Sequence, residues 1–184
     1  MNKVEKLAIC AGAALVGGAV ILYRSSLYDT YRYMISGSYF TLDELTQSET
    51  AEEYGIKNIP DASARANLAK LIKHLDKIRE VYGSPIKVNS GYRSAELNRI
   101  LPNASPTSQH TKGQAADIVP TFGGSLADIF RACIAVGGYD QLIIEDSGDS
   151  RWVHISIADN PRKQVLAYKN GQYTNIAGNW EAWI

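Results

Sequence analysis

Ser108-Gln109-His110-Thr111-Lys112-Gly113-Gln114-Ala115-Ala116-Asp117 sets a histidine and an aspartate on either side of a glycine and two alanines. The apolar run from Ala115 through Asp117 to Val119 predicts a strand that holds Asp117 rigidly. His110 falls in the loop leading in, and Gly113 lets the chain turn back on itself. Neutral imidazole nitrogen and carboxylate oxygen both bind divalent metals. Trp152-Val153-His154-Ile155-Ser156 is a second strand-like stretch carrying another histidine. Two histidines, one carboxylate and an open fourth position for water make a catalytic zinc shell. The third histidine, His74, lies in a helical run among lysines and reads as a packing or surface residue.

Upstream of this stretch, Ile86-Lys87-Val88 predicts a short strand delivering Ser90-Gly91-Tyr92-Arg93, and Ser94 caps a helix from Ala95 to Leu101. Before that strand, Asp61 caps a long helix. Its Leu68, Leu71, Ile72, Leu75, Ile78 and Val81 form a core-facing stripe, and Gly83-Ser84-Pro85 ends it. Thr41-Leu42-Asp43-Glu44 is a capping-box pattern that starts a short helix. Downstream, a helix is expected from Ser125 to Val136, stopped by Gly137-Gly138. Strands follow at Gln141 to Glu145 and Arg151 to Ile155, joined by the loop 146–150. A strand from Gln164 to Tyr168 turns at Asn170-Gly171, a pair that favours a type I′ hairpin. The tail from Trp180 to Ile184 is apolar enough to dock. This order predicts an α+β fold: an antiparallel sheet flanked by helices, carrying a single metal site.

At 184 residues the chain can bury one real core. Its 19 basic and 19 acidic residues cancel, which argues against nucleic acid as a partner. Cys10 and Cys133 are too differently placed to be expected to pair. Leu7 to Tyr23 is uncharged and apolar, with Lys3 and Lys6 before it and Arg24 after it. About 17 residues is the short end of a transmembrane helix. No small-x-small cleavage site follows it, so an uncleaved anchor is expected, with a cleaved signal helix as the alternative. The expected organisation is an anchor and linker over 1–38 and a catalytic domain over 39–184.

The motifs Ser90-Gly91-Tyr92-Arg93-Ser94, Glu96-Leu97-Asn98, Ser108-Gln109-His110 to Gly113, Ala116-Asp117 and Trp152-Val153-His154 occur in an order that resembles the zinc D-alanyl-D-alanine carboxypeptidase family. The chain is most similar to its short bacterial and phage peptidoglycan peptidases. The resemblance extends to Phe40 through Leu45, Ser48, Thr50-Ala51 and Asn58-Ile59-Pro60, and covers roughly residues 39 to 160. It implies zinc held by His110, Asp117 and His154, with Arg93 associated with the substrate. A guanidinium suits the free carboxylate of a stem peptide. Ser108 either contacts the substrate or caps its loop.

Hydrolysis also needs a carboxylate that takes a proton from the attacking water and returns it to the leaving amine. Relatives often carry that acid three residues before the last histidine. Here that position is Arg151, which cannot act as a base. The short members imply an acid ending the preceding strand, which maps to Glu145. Pairing across a five-residue loop sets Glu145 opposite Arg151 and on the other face from His154, so a bulge or bend would be needed. Asp149 and Asp146 are the alternatives.

The implied function is a zinc peptidase of cell-wall stem peptides, as D-Ala-D-Ala carboxypeptidase or endopeptidase. The alternative is a non-catalytic envelope or phage-structural module that keeps the fold and binds metal or cell wall. The expected location is the cell-wall side of a membrane reached through residues 7–23, or else a secreted form or a phage particle.

Overall fold

A computed structural model describes residues 35–121 and 123–184. The apolar segment 7–23 and most of the linker after it lie outside the described residues. Among those described, no helix is long and apolar enough to cross a membrane.

Two short helices open the domain, α1 (Leu42–Thr46) and α2 (Glu49–Glu53). The predicted capping box is present: Thr41 and Glu44 each accept from the other's backbone N–H. The long helix α3 (Ala62–Tyr82) starts at Asp61, whose carboxylate accepts from the Ala64 N–H, and ends at left-handed Gly83. Leu68, Leu71, Ile72, Leu75 and Ile78 are all 1% exposed or less. Each contributes about 1.5–3 kcal/mol by burial. Val81 departs from the predicted stripe and is 56% exposed. Two successive three-residue steps from Leu75 fall about 120° short of two full turns, which carries Val81 off the buried face.

The sheet has six strands in the order β1-β2-β4-β3-β5-β6. They are β1 (Ile86–Ser90), β2 (Ala115–Pro120), β3 (Gln141–Asp146), β4 (Arg151–Ser156), β5 (Gln164–Lys169) and β6 (Gln172–Asn175). Helix α4 (Ala95–Ile100) and a 3₁₀ turn (Gln109–Lys112) lie between β1 and β2, and α5 (Leu126–Val136) lies between β2 and β3. The fold is α+β, as expected, but the sheet is mixed. Strand β5 pairs parallel to β3, with Glu145 beside Tyr168, because the chain leaving β4 crosses the end of β3 instead of forming another hairpin. At the β5–β6 turn Asn170 and Gly171 both have positive φ, 52° and 79°, in keeping with the type I′ reading.

One face of the sheet, with Ile118, Val153, Ile155, Leu142 and Ile144, packs with α3 and α5 residues into the core. The C-terminal tail closes part of it: the rings of Trp180 and Phe130 lie 5.4 Å apart. The alternation of side chains sends Asp117, His154 and Glu145 to the opposite face.

Candidate metal centre

Three buried side chains converge from three places. Asp117 on β2 lies directly across from His154 on β4, and His110 comes in from the 3₁₀ turn. His154 Nδ1 is 2.9 Å from Asp117 Oδ1, His110 Nε2 is 3.3 Å from that same oxygen, and the two ring nitrogens are 3.3 Å apart. Atoms bound tetrahedrally to one zinc at about 2.0–2.1 Å are roughly 3.3 Å from one another, so the triangle has the right size.

The hydrogen bonding points to a cation as well. His110 Nδ1 is 2.6 Å from the Gly91 carbonyl oxygen, which can only accept, so that nitrogen carries the proton. In the neutral ring Nε2 is then a bare lone pair facing a carboxylate oxygen. Only a proton or a metal ion between them makes that arrangement favourable. Burial pushes the His110 imidazole below its ordinary value despite the nearby Asp117 carboxylate, which argues against the proton. Burial alone would raise the Asp117 carboxyl. The His110 and His154 imidazoles outweigh that and hold it well below the usual range, so it stays ionised.

The loop geometry explains why these residues meet. Gly113 has φ 66°, and a Cβ there would lie 2.5 Å from the Ala64 carbonyl oxygen, so only glycine fits against α3. Gly91 is equally confined, since a Cβ would lie 2.3 Å from the Leu45 carbonyl oxygen. Asn58 ties this loop down: its side-chain N–H groups donate to the Thr46 and Tyr92 carbonyls, and its oxygen accepts from the Ser94 N–H. Ser108 caps the 3₁₀ turn by accepting from the His110 N–H. Arg93 Nη2 donates to Asp117 Oδ2 at 2.8 Å and its Nε donates to Ser90. It therefore orients the Asp117 carboxylate from the side away from the histidines, as a partner behind a ligand does.

Glu145 reaches the site without a bulge. Asp146, not Glu145, pairs with Arg151, and Glu145 pairs with Trp152. The strand thus runs one residue further than expected, and a one-residue register change moves every side chain to the other face. Glu145 Oε1 lies 4.0 Å from His154 Nδ1. Burial, and then the Asp117 charge, raise its carboxyl above the ordinary glutamate value. Asp149 is exposed in the loop. Asp146 points to the other face, where Lys169 donates to it at 3.0 Å. Arg151 stands 3.8 Å from the same carboxylate.

Sequence reading missed a lock behind His110. Asp140, only 2% exposed, accepts from the Arg162 backbone N–H at 2.7 Å and from its guanidinium. Gln109, next to His110, donates to the same carboxylate at 3.0 Å and accepts from Arg162. No local pattern marks this contact, because its members are 22 to 53 positions apart.

The family model described as Peptidase M15 matches residues 38–156, a span that holds all three converging side chains, Arg93 and Glu145. A search of curated proteins finds no match.

Proposed function

Since the chain belongs to the peptidase M15 family, whose members are zinc-dependent, we propose that it hydrolyses the stem peptides of bacterial peptidoglycan. His110, Asp117 and His154 are the residues that would hold the zinc. Bound there, zinc supplies Lewis acidity and brings the pKa of its water to about 7. Glu145 takes the proton of the attacking water and returns it to the leaving amine nitrogen. A carboxyl raised by burial is suited to both roles, because it gives up its proton more readily to an amine than to solvent at neutral pH. Arg93 holds Asp117 in place and stands ready on the far side of the cluster for an oxygen of the substrate.

The observation that carries this reading is Glu145 Oε1 at 4.0 Å from His154, on the face that bears the buried His-Asp-His cluster. The alternative, a non-catalytic envelope or phage module, draws its support from Arg151 at the position where relatives keep an acid. Glu145 supplies an acid from the neighbouring strand. The proposed setting is the cell-wall side of a membrane, reached through residues 7–23, where this substrate lies. Digestion of purified peptidoglycan by the zinc-loaded protein, read by mass spectrometry, tests the reading. Release of D-alanine or opening of cross-links supports it, and an unchanged sacculus with fully loaded protein refutes it.

A further inference from the structure

The face that bears the metal cluster continues past Glu145 onto two strands outside the family match. Glu145 is in register with Trp152 on β4 and with Tyr168 on β5, and Tyr168 is in register with Tyr173 on β6. These four residues form one row across the sheet. With strands about 4.8 Å apart the row spans roughly 14 Å. The Tyr168 and Tyr173 rings pack with centroids 4.7 Å apart, yet Tyr173 remains 61% exposed. Partial burial, and then the charges of Glu145 and Tyr168, hold its hydroxyl above the ordinary tyrosine value.

Charge is distributed unevenly along this face. Arg93 stands on the β1 side of the cluster, donating to Asp117. On the other side the β3, β5 and β6 positions facing the same way are Gln141, Ile143, Glu145, Gln164, Leu166, Tyr168, Tyr173 and Asn175, with no lysine or arginine among them. Lys169 and Arg151 pair with Asp146 on the opposite face. The order across the strands is therefore cation, metal cluster, base, aromatic pair. A base that protonates the leaving amine must stand on the leaving side of the scissile bond. The aromatic pair lies beyond it, on that same side.

We infer that Tyr168 and Tyr173 form the leaving-side subsite, and that it takes a leaving group that continues as a peptide rather than a single residue ending in a free carboxylate. A terminal carboxylate there would face Glu145 on a stretch of β3, β5 and β6 whose positions facing that way carry no lysine or arginine to offset the repulsion. An extended chain presents amides and aliphatic groups, which pack on exposed tyrosine rings. The inference rests on the peptidase reading and selects an endopeptidase within it.

Two peptides with one acyl portion test it. In one the leaving portion is a single residue with a free carboxylate, and in the other it is an amide-capped tripeptide. The zinc-loaded wild type should favour the extended peptide by about tenfold in kcat/KM. Tyr173→Ala should bring that ratio near one, through KM, with the pH profile of kcat kept, and Tyr173→Phe should retain the ratio. Equal rates on both peptides in the wild type, or a Tyr173→Ala effect confined to kcat, would overturn the subsite. No turnover of either peptide would count against the peptidase reading instead. In that case calorimetry on the zinc-loaded wild type decides the subsite: tighter binding of the extended peptide, lost in Tyr173→Ala, supports it, and equal binding overturns it.

Discussion

The two flanks of the metal cluster are built in opposite ways. On the β1 side the polar groups around the cluster are tied together: Arg93 on Asp117 and Ser90, His110 on Gly91, Asn58 on the loop between them. On the β3–β5–β6 side Glu145 stands among aromatic rings, and Tyr173 is open to solvent. The contrast teaches that holding a metal and handling a substrate place different demands on a sheet. Ligands must be fixed to a fraction of an ångström, which dense hydrogen bonding secures. The flank proposed for substrate is open, and its groups are placed by strand register and by the packing of Tyr168 on Tyr173.

The most drastic way to break the first flank is at a ligand. His154→Ala should abolish stoichiometric zinc, as read by elemental analysis of the purified protein. Zinc retained one-to-one in that variant would remove His154 from the ligand set.

On the second flank, Glu145→Gln should keep zinc and fold and lose about two to four orders of magnitude in turnover. Asp149→Asn, in the exposed loop, should change little. The reverse pattern would return the base to the loop, and no effect of either while zinc is retained would leave the domain without its assigned acid.

Arg93→Ala sharpens the boundary between the flanks. A residue that orients a ligand should cost about ten- to a hundredfold in zinc affinity, measured by chelator competition. Unchanged affinity with a raised KM would place Arg93 on the substrate alone.

The smallest expected effect lies behind His110. Asp140→Asn should cost about 1.5–3 kcal/mol in denaturant unfolding, the worth of a hydrogen bond to a charged group. The Arg162 guanidinium holds the Asp140 carboxyl below its ordinary value of 3.8. Its stabilisation is therefore full above that value and is lost as pH falls through and below it. The stability gap between wild type and Asp140→Asn should be constant near neutrality and shrink below about pH 4. A gap that does not depend on pH would mean that the charge is not what matters.

Much of this molecule was legible from local pattern. Thr41, Asp61 and Ser94 cap their helices because capping is decided within three residues. His110, Asp117 and His154 stood out because their residue types are scarce and their chemistry specific. The Asn170-Gly171 turn was readable because only such residues accept positive φ cheaply. Tertiary structure alone decided the face of Glu145, the parallel pairing of β5 with β3, the lock of Asp140 with Arg162 and the engagement of Arg93 with Asp117. Each depends on which residues lie opposite one another across strands or across 22 to 24 positions of chain. Alternation shows that a strand has two faces, but a single residue of register, set by the turn and the packing beneath it, chooses which face meets the metal.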